Sequence, residues 1–215
     1  MKRATKTTVL KPAPADEDDT RSRVLGAAFN SFTENGYAGT STLEIATHAK
    51  VSKRDLYALF PSKQAMLLAC IRTRSDKMRV PGGLPVAASR EALGATLTVY
   101  GKGLLTQLFD PAVVAMFRVA ISEAERSPEV AAAIDDCRSA AVETVRDLVV
   151  HAQSSGLLPR GDASRMAARF LALLREDLMM GLLLGVAAAP SRARIAANVA
   201  DAVTVFLDIY RTPTR

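Results

Sequence analysis

Apolar residues in this chain recur mostly at three- and four-residue intervals, the spacing that turns one face of an α-helix toward a core. Val24, Ala27, Ala28 and Phe32 make such a stripe, which predicts a first helix over residues 20–35, stopped by Asn35-Gly36. Thr40-Ser41-Thr42 supplies cap hydroxyls for a short helix over 42–49, with Leu43, Ile45 and Ala46 as inner-face candidates. Lys50-Val51-Ser52 leaves only a tight connection to a third helix over 53–60, whose inner face is Leu56 and Phe60. Pro61-Ser62-Lys63 ends that helix and begins a fourth, over 62–79.

The segment Val80-Pro81-Gly82-Gly83-Leu84-Pro85 is the clearest boundary. Five helices are predicted beyond it, over 89–109, 111–125, 128–155, 162–188 and 191–211. Asp110-Pro111, Ser127-Pro128, Ser155-Gly156 with Pro159, and Pro190 punctuate them. No stretch alternates with the period of a strand, and no segment repeats. The expected fold is all-α with about nine helices. A flexible tail at 1–19 precedes a helix-turn-helix domain with its connecting helix at 20–79 and a helical domain at 86–212.

Composition agrees with helices: hydrophobic residues make up 49% of the chain, aromatics only 5%, and Trp is absent. Charge adds a location. Residues 1–79 carry 14 Lys and Arg against 8 Asp and Glu, and the rest carries 14 of each, so the net +6 lies in the first third. A polyanion-binding module would place it there, although an incidental basic surface has the same signature. Lys2, Arg3, Lys6 and Lys11 would make a DNA-reaching arm or a solvated tail. Cys70 and Cys137 have no nearby second Cys or Cys/His cluster, so no metal, disulfide framework or cofactor is expected. The longest apolar run, Leu178 to Ala189, falls short of the ~20 residues of a membrane span, and no apolar signal core opens the chain. The expectation is a soluble cytoplasmic protein with no membrane partner.

Two short helices joined by three or four residues can read a major groove, the second entering it and the first bracing it. Residues 42–60 have this layout, with Lys53, Arg54 and Asp55 at the start of the second helix. Gly36-Tyr37, Thr40-Ser41, Leu43-Glu44-Ile45-Ala46, Ala49-Lys50-Val51-Ser52-Lys53, Leu56-Tyr57 and Phe60-Pro61-Ser62-Lys63 resemble the DNA-binding domain of the tetracycline-repressor (TetR) family over about 20–75. The resemblance implies that Ser52, Lys53, Arg54, Asp55 and Ala58 belong to the groove-reading segment. It makes Thr40, Thr42, Tyr57 and Lys63 phosphate candidates and Leu56 and Phe60 core. Lys53 or Arg54 would read guanine, and Asp55 would accept from cytosine N4 or hold a neighbouring Arg. In two places the chain departs from the family pattern. Lys50 stands where a Gly is usual, and Ala58 where a His or Tyr is common.

Phe117 to Ala124 with Ser127-Pro128-Glu129 is similar to the C-terminal domain of the family's AefR-like subgroup. That resemblance implies double-stranded operator DNA as partner, a two-fold homodimer and a small apolar or aromatic effector, with repression as the common mode. Tyr100, Phe109, Met116, Phe117, Met179 and Met180 would line an apolar effector pocket with Gln107 or Arg118 as polar group, or else be ordinary core. Helical spacing puts Phe170, Leu174, Leu178 and Leu182 on one face and Ile195, Val199, Val203 and Phe206 on another. These stripes, with Gly181 and Gly185 allowing close approach, would pair two subunits in a four-helix interface, or cover the subunit's own core. Catalysis is not expected: His48 and His151 stand alone, with no nucleophile motif, HExxH or phosphate-binding glycine loop.

Overall fold

A computed structural model describes residues 14–78, 83–176 and 178–211. The described residues form ten helices and no strand: α1 (Pro14–Gly39), α2 (Thr42–Ala49), α3 (Lys53–Leu59), α4 (Lys63–Met78), α5 (Arg90–Leu108), α6 (Pro111–Ala124), α7 (Pro128–Ser154), α8 (Ala163–Arg175), α9 (Leu178–Leu184) and α10 (Arg192–Ile209). Two compact units part within α4, between Cys70 and Ile71, rather than at the Pro/Gly segment 80–85. The first helix starts at Pro14, so the end of the segment expected as tail is helical. The basic positions 2–11 lie outside the described residues. Gly36 leaves helical geometry at φ 72°, ψ 174°, where Asn35-Gly36 was expected to stop the helix.

In the first unit, α1, α2, α3 and the start of α4 close on Val24, Phe32, Ile45, Leu56, Phe60 and Leu67, each at most 2% exposed. Their ends are tied by specific bonds. Ser41 and Glu44 form a capping box that satisfies the first amides of α2. The guanidinium of Arg23 donates to the carbonyl of Ala49 at the other end of α2, 3.2 Å away.

The second unit packs α10 against α5 and α8, α8 against α7, and α6 against α7 and α9. Its core includes Leu93, Leu97, Leu105, Leu148, Phe170, Leu174, Val199 and Phe206. At Gly101, α5 passes so close to α8 and α10 that a Cβ would lie 3.0 Å from both Leu174 and Val199. Arg90 donates to the carbonyls of Leu157, Tyr210 and Leu207, fastening the start of α5 to the end of α10.

The single helix expected over 162–188 is two. Glu176 takes φ 41°, ψ −147°, a conformation costing a non-glycine residue about 1–3 kcal/mol. Its carboxylate accepts from Asn198 Nδ2 at 3.3 Å and faces Arg194 at 3.9 Å, contacts with α10 that hold the break. No Gly or Pro marks that position. At its other end α9 closes on Gly185, φ 74°, with the amides of Val186 and Ala187 both donating to the carbonyl of Gly181. Gly181 and Gly185 therefore shape the end of a short helix. A Cβ at Gly181 would meet Ala187 at 2.9 Å, so the close approach is to the chain's own returning segment.

Candidate nucleic-acid interface

The α2–α3 connection turns on Lys50, which adopts φ 55°, ψ 46°, and its amide donates to the carbonyl of Thr47. This left-handed residue swings the chain into α3 within three residues. Ser52 caps α3, its Oγ accepting from the amide of Asp55 at 3.1 Å. The same hydroxyl donates to the Asp55 carboxylate at 2.7 Å. The Asp55 side chain is thereby engaged in the helix cap, and a carboxylate in the first turn suits the positive end of the helix dipole. Leu56 and Phe60 are buried as expected, at 0% and 2% exposure, and Arg21 lies 4.5 Å over the Phe60 ring.

Lys53, Arg54 and Ala58 are exposed together with Tyr57, so α3 presents two cations, a methyl group and a phenol outward. The Lys53 ammonium lies 6.0 Å from the Tyr57 ring, and the Tyr57 hydroxyl is 3.1 Å from that of Thr42 on α2. The Thr42–Tyr57 pair joins the two helices and keeps two hydroxyls on one surface, an arrangement able to donate to one phosphate.

Two expected phosphate contacts are corrected. Thr40 is 2% exposed, and its hydroxyl bonds the carbonyls of Ser31 and Gly36, both at 2.8 Å. Lys63 is half-buried: its ammonium donates to the carbonyls of Tyr37 at 2.7 Å and Thr40 at 2.9 Å and sits 4.2 Å from the Tyr37 ring. Both side chains brace the α1–α2 junction, because the carbonyls freed where Gly36 leaves the helix need donors. The residue types marked the positions, and the carbonyls that claim them became visible only in the fold.

Two of the eight expected pocket residues, Met116 and Phe117, line a common cavity among the described residues. That cavity, about 30 Å3, lies among Ile71, Arg74, Ser75, Val113, Met116, Phe117, Ile134 and Cys137. Tyr100 and Phe109 are core residues instead. Burial pushes the Tyr100 hydroxyl up to about 12, against the opposing pull of the Arg175 charge. Met179 packs half-buried against the core, and Gln107 and Met180 are exposed. The guanidinium of Arg118 is engaged by the carbonyls of Leu182 at 2.5 Å and Leu183 at 3.0 Å, at the end of α9.

A family model for bacterial regulatory proteins of the tetR family matches residues 24–70, which hold this helix pair. A second, the C-terminal domain of AefR-like transcriptional repressors, matches residues 95–212, more than half of the chain. The chain belongs to the TetR family. It is 35% identical over 82 residues to the HTH-type transcriptional regulator RutR of Escherichia coli, a match covering 35% of this chain and 39% of RutR. The chain spans 26% to 39% of the length of the curated relatives it matches. Solved TetR-family structures match almost end to end. The regulator from Agrobacterium tumefaciens superposes with a TM-score of 0.74 at 27% identity, covering 94% of this chain and 97% of that one. The flavonoid-responsive regulator FrrA gives 0.74 at 26%, covering 92% and 100%. Members of the TetR family are DNA-binding transcriptional regulators, not enzymes. No single helix among the described residues is long and apolar enough to cross a membrane.

The residues expected to pair two TetR-type subunits face inward. Phe170, Leu174, Leu182, Ile195, Val199, Val203 and Phe206 are at most 7% exposed within the protomer, and Leu178 is half-buried against the same core. The apolar stripes of α8 and α10 thus serve the subunit's own core, the alternative reading of that pattern. Their opposite faces are exposed and lined by small residues: Ala168 and Ala172 on α8, and Ala193, Ala197, Ala200 and Thr204 on α10. A helical wheel puts 193, 197, 200 and 204 on one side of α10, where small side chains let a second helix approach closely.

Proposed function

We propose that the protein is a homodimeric repressor that sits on operator DNA through α2 and α3 and is released by a small-molecule effector, acting in the cytoplasm. The observation that carries the DNA reading is the division of α3 into two faces. Leu56 is buried, while Lys53, Arg54, Tyr57 and Ala58 are exposed on a helix whose first turn is held by Ser52 and Asp55. In this reading α3 enters the major groove. Arg54 and Lys53 reach guanine or phosphate, Ala58 touches a thymine methyl, and Thr42 with Tyr57 grips the backbone. Asp55 keeps the helix start in register. The outer faces of α8 and α10 pair two subunits around a two-fold axis, as a near-palindromic operator requires. The name of FrrA, a flavonoid-responsive relative, supports a small-molecule effector for this chain too. Repression follows the AefR-like repressor class of the C-terminal domain.

Fluorescence anisotropy with duplex DNA from upstream of the protein's own gene tests the reading. Selective binding that weakens steeply with salt is expected, and the double variant Lys53→Ala/Arg54→Ala should abolish the preference over scrambled DNA. Selective binding retained by that variant would remove α3 as the reader.

A further inference from the structure

We propose that Leu43 is a specificity-determining residue of the DNA interface, its side chain packing on the C5-methyl group of a thymine in each operator half-site. This contact rests on the operator reading above and adds to it a base contact from α2. Leu43, expected on the inner face of α2, is 63% exposed. Among the described residues of the first unit, the large apolar side chains left in solvent are Leu43 and Tyr57, the latter at 41%. Single exposed leucines are ordinary on a protein surface. These two are not scattered: both belong to the α2–α3 pair, and Thr42, the residue before Leu43, bonds the Tyr57 hydroxyl.

The neighbours of Leu43 fix its direction. Successive residues of a helix turn by roughly 100°. Thr42 turns to α3, through Tyr57, and Glu44 turns to α1, where its carboxylate accepts from Asn35 Nδ2 at 2.9 Å. Ile45, Ala46 and Ala49 are the buried face of α2. Leu43, between Thr42 and Glu44, is left pointing outward at the end of α2 that carries the Thr42–Tyr57 pair. Polar side chains beside it are engaged within the protein. The Ser41 hydroxyl accepts from the amide of Glu44 at 3.1 Å, and the Thr47 hydroxyl donates to the carbonyl of Leu43 at 2.9 Å. What this side of α2 offers DNA is an isobutyl group, which neither donates nor accepts a hydrogen bond. In the major groove the apolar feature of a base edge is the C5-methyl of thymine, so an apolar reader selects thymine. Packing the two together removes from water a side chain that the free protein leaves exposed.

The test uses the full chain and the duplex it enriches from a random-sequence library, with each thymine replaced in turn by deoxyuridine, which removes the methyl and keeps the pairing edge. At one thymine of a half-site the replacement should weaken binding about fourfold, the cost of leaving one apolar carbon in water. The same replacement should cost Leu43→Ala nothing, while methyl effects elsewhere, such as one read by Ala58, persist in that variant. If no methyl effect is abolished in Leu43→Ala, as when Leu43 is only structural, the contact is overturned. The operator reading still stands in that case if Lys53→Ala/Arg54→Ala loses the preference for the enriched duplex. Absence of any enriched duplex would overturn the operator reading and this contact with it.

Discussion

Lys50 holds a left-handed conformation at the hinge between α2 and α3, at φ 55° and ψ 46°. An L-residue with a Cβ pays about 1–2 kcal/mol there, and glycine avoids that cost while giving back about 0.5–1 kcal/mol of chain entropy. Lys50→Gly is therefore expected to raise stability by about 0.5–1 kcal/mol in urea unfolding; a destabilised variant would show that the lysine side chain holds the turn. This strain was legible from the sequence, because a lysine stands where the family pattern has a glycine. The fates of Thr40 and Lys63 were not. A hydroxyl and an ammonium near a recognition helix suit phosphate in a sequence, and only the fold shows the Ser31, Gly36, Tyr37 and Thr40 carbonyls that claim them. Asp55 was left between accepting from cytosine N4 and holding a neighbouring Arg, and the structure engages it elsewhere, with the Ser52 hydroxyl.

Helix starts were legible where a capping side chain or a first-turn proline is local. Ser52, Asp110-Pro111 and Ser127-Pro128 all stand at the observed starts of α3, α6 and α7. The division of α8 from α9 was not legible, since Glu176 is neither Gly nor Pro and its geometry is held by Asn198 and Arg194, far along the chain. The resulting α9 has only seven residues, too short to persist without tertiary support. Two bonds from Arg118 to the Leu182 and Leu183 carbonyls, and the burial of Leu182, provide it. Arg118→Ala should therefore speed amide hydrogen exchange across 178–187, with about 1–3 kcal/mol of local stability lost. Amides of α10 should keep their protection; equal loosening of α10 would mean that Arg118 supports the whole unit.

Across the molecule, the same arithmetic that identifies a buried face fails to say what buries it. Phe170 and Phe206 were read as faces toward a partner, and they pack edge-to-face on each other inside the protomer, with ring centroids 5.3 Å apart. The two readings of α8 and α10 predict opposite behaviour. Ala200→Arg, on the exposed small-residue face, should leave the folded protomer intact but shift sedimentation from dimer to monomer. Phe170→Ala should instead cost about 3–5 kcal/mol of fold stability through the cavity it opens. A dimer that tolerates Ala200→Arg would place the partner surface elsewhere.

That pairing and the exposed face of α3 together describe a two-fold protein that reads DNA through one helix per subunit. The most direct test is selection of bound duplexes from a random-sequence library by the purified protein. An enriched inverted repeat is expected, its half-site centres a whole number of helical turns apart. Within each half-site, guanine should be required at a position that becomes degenerate when the selection is repeated with Arg54→Ala. Enrichment of an unpaired half-site, or an unchanged motif with Arg54→Ala, would contradict it.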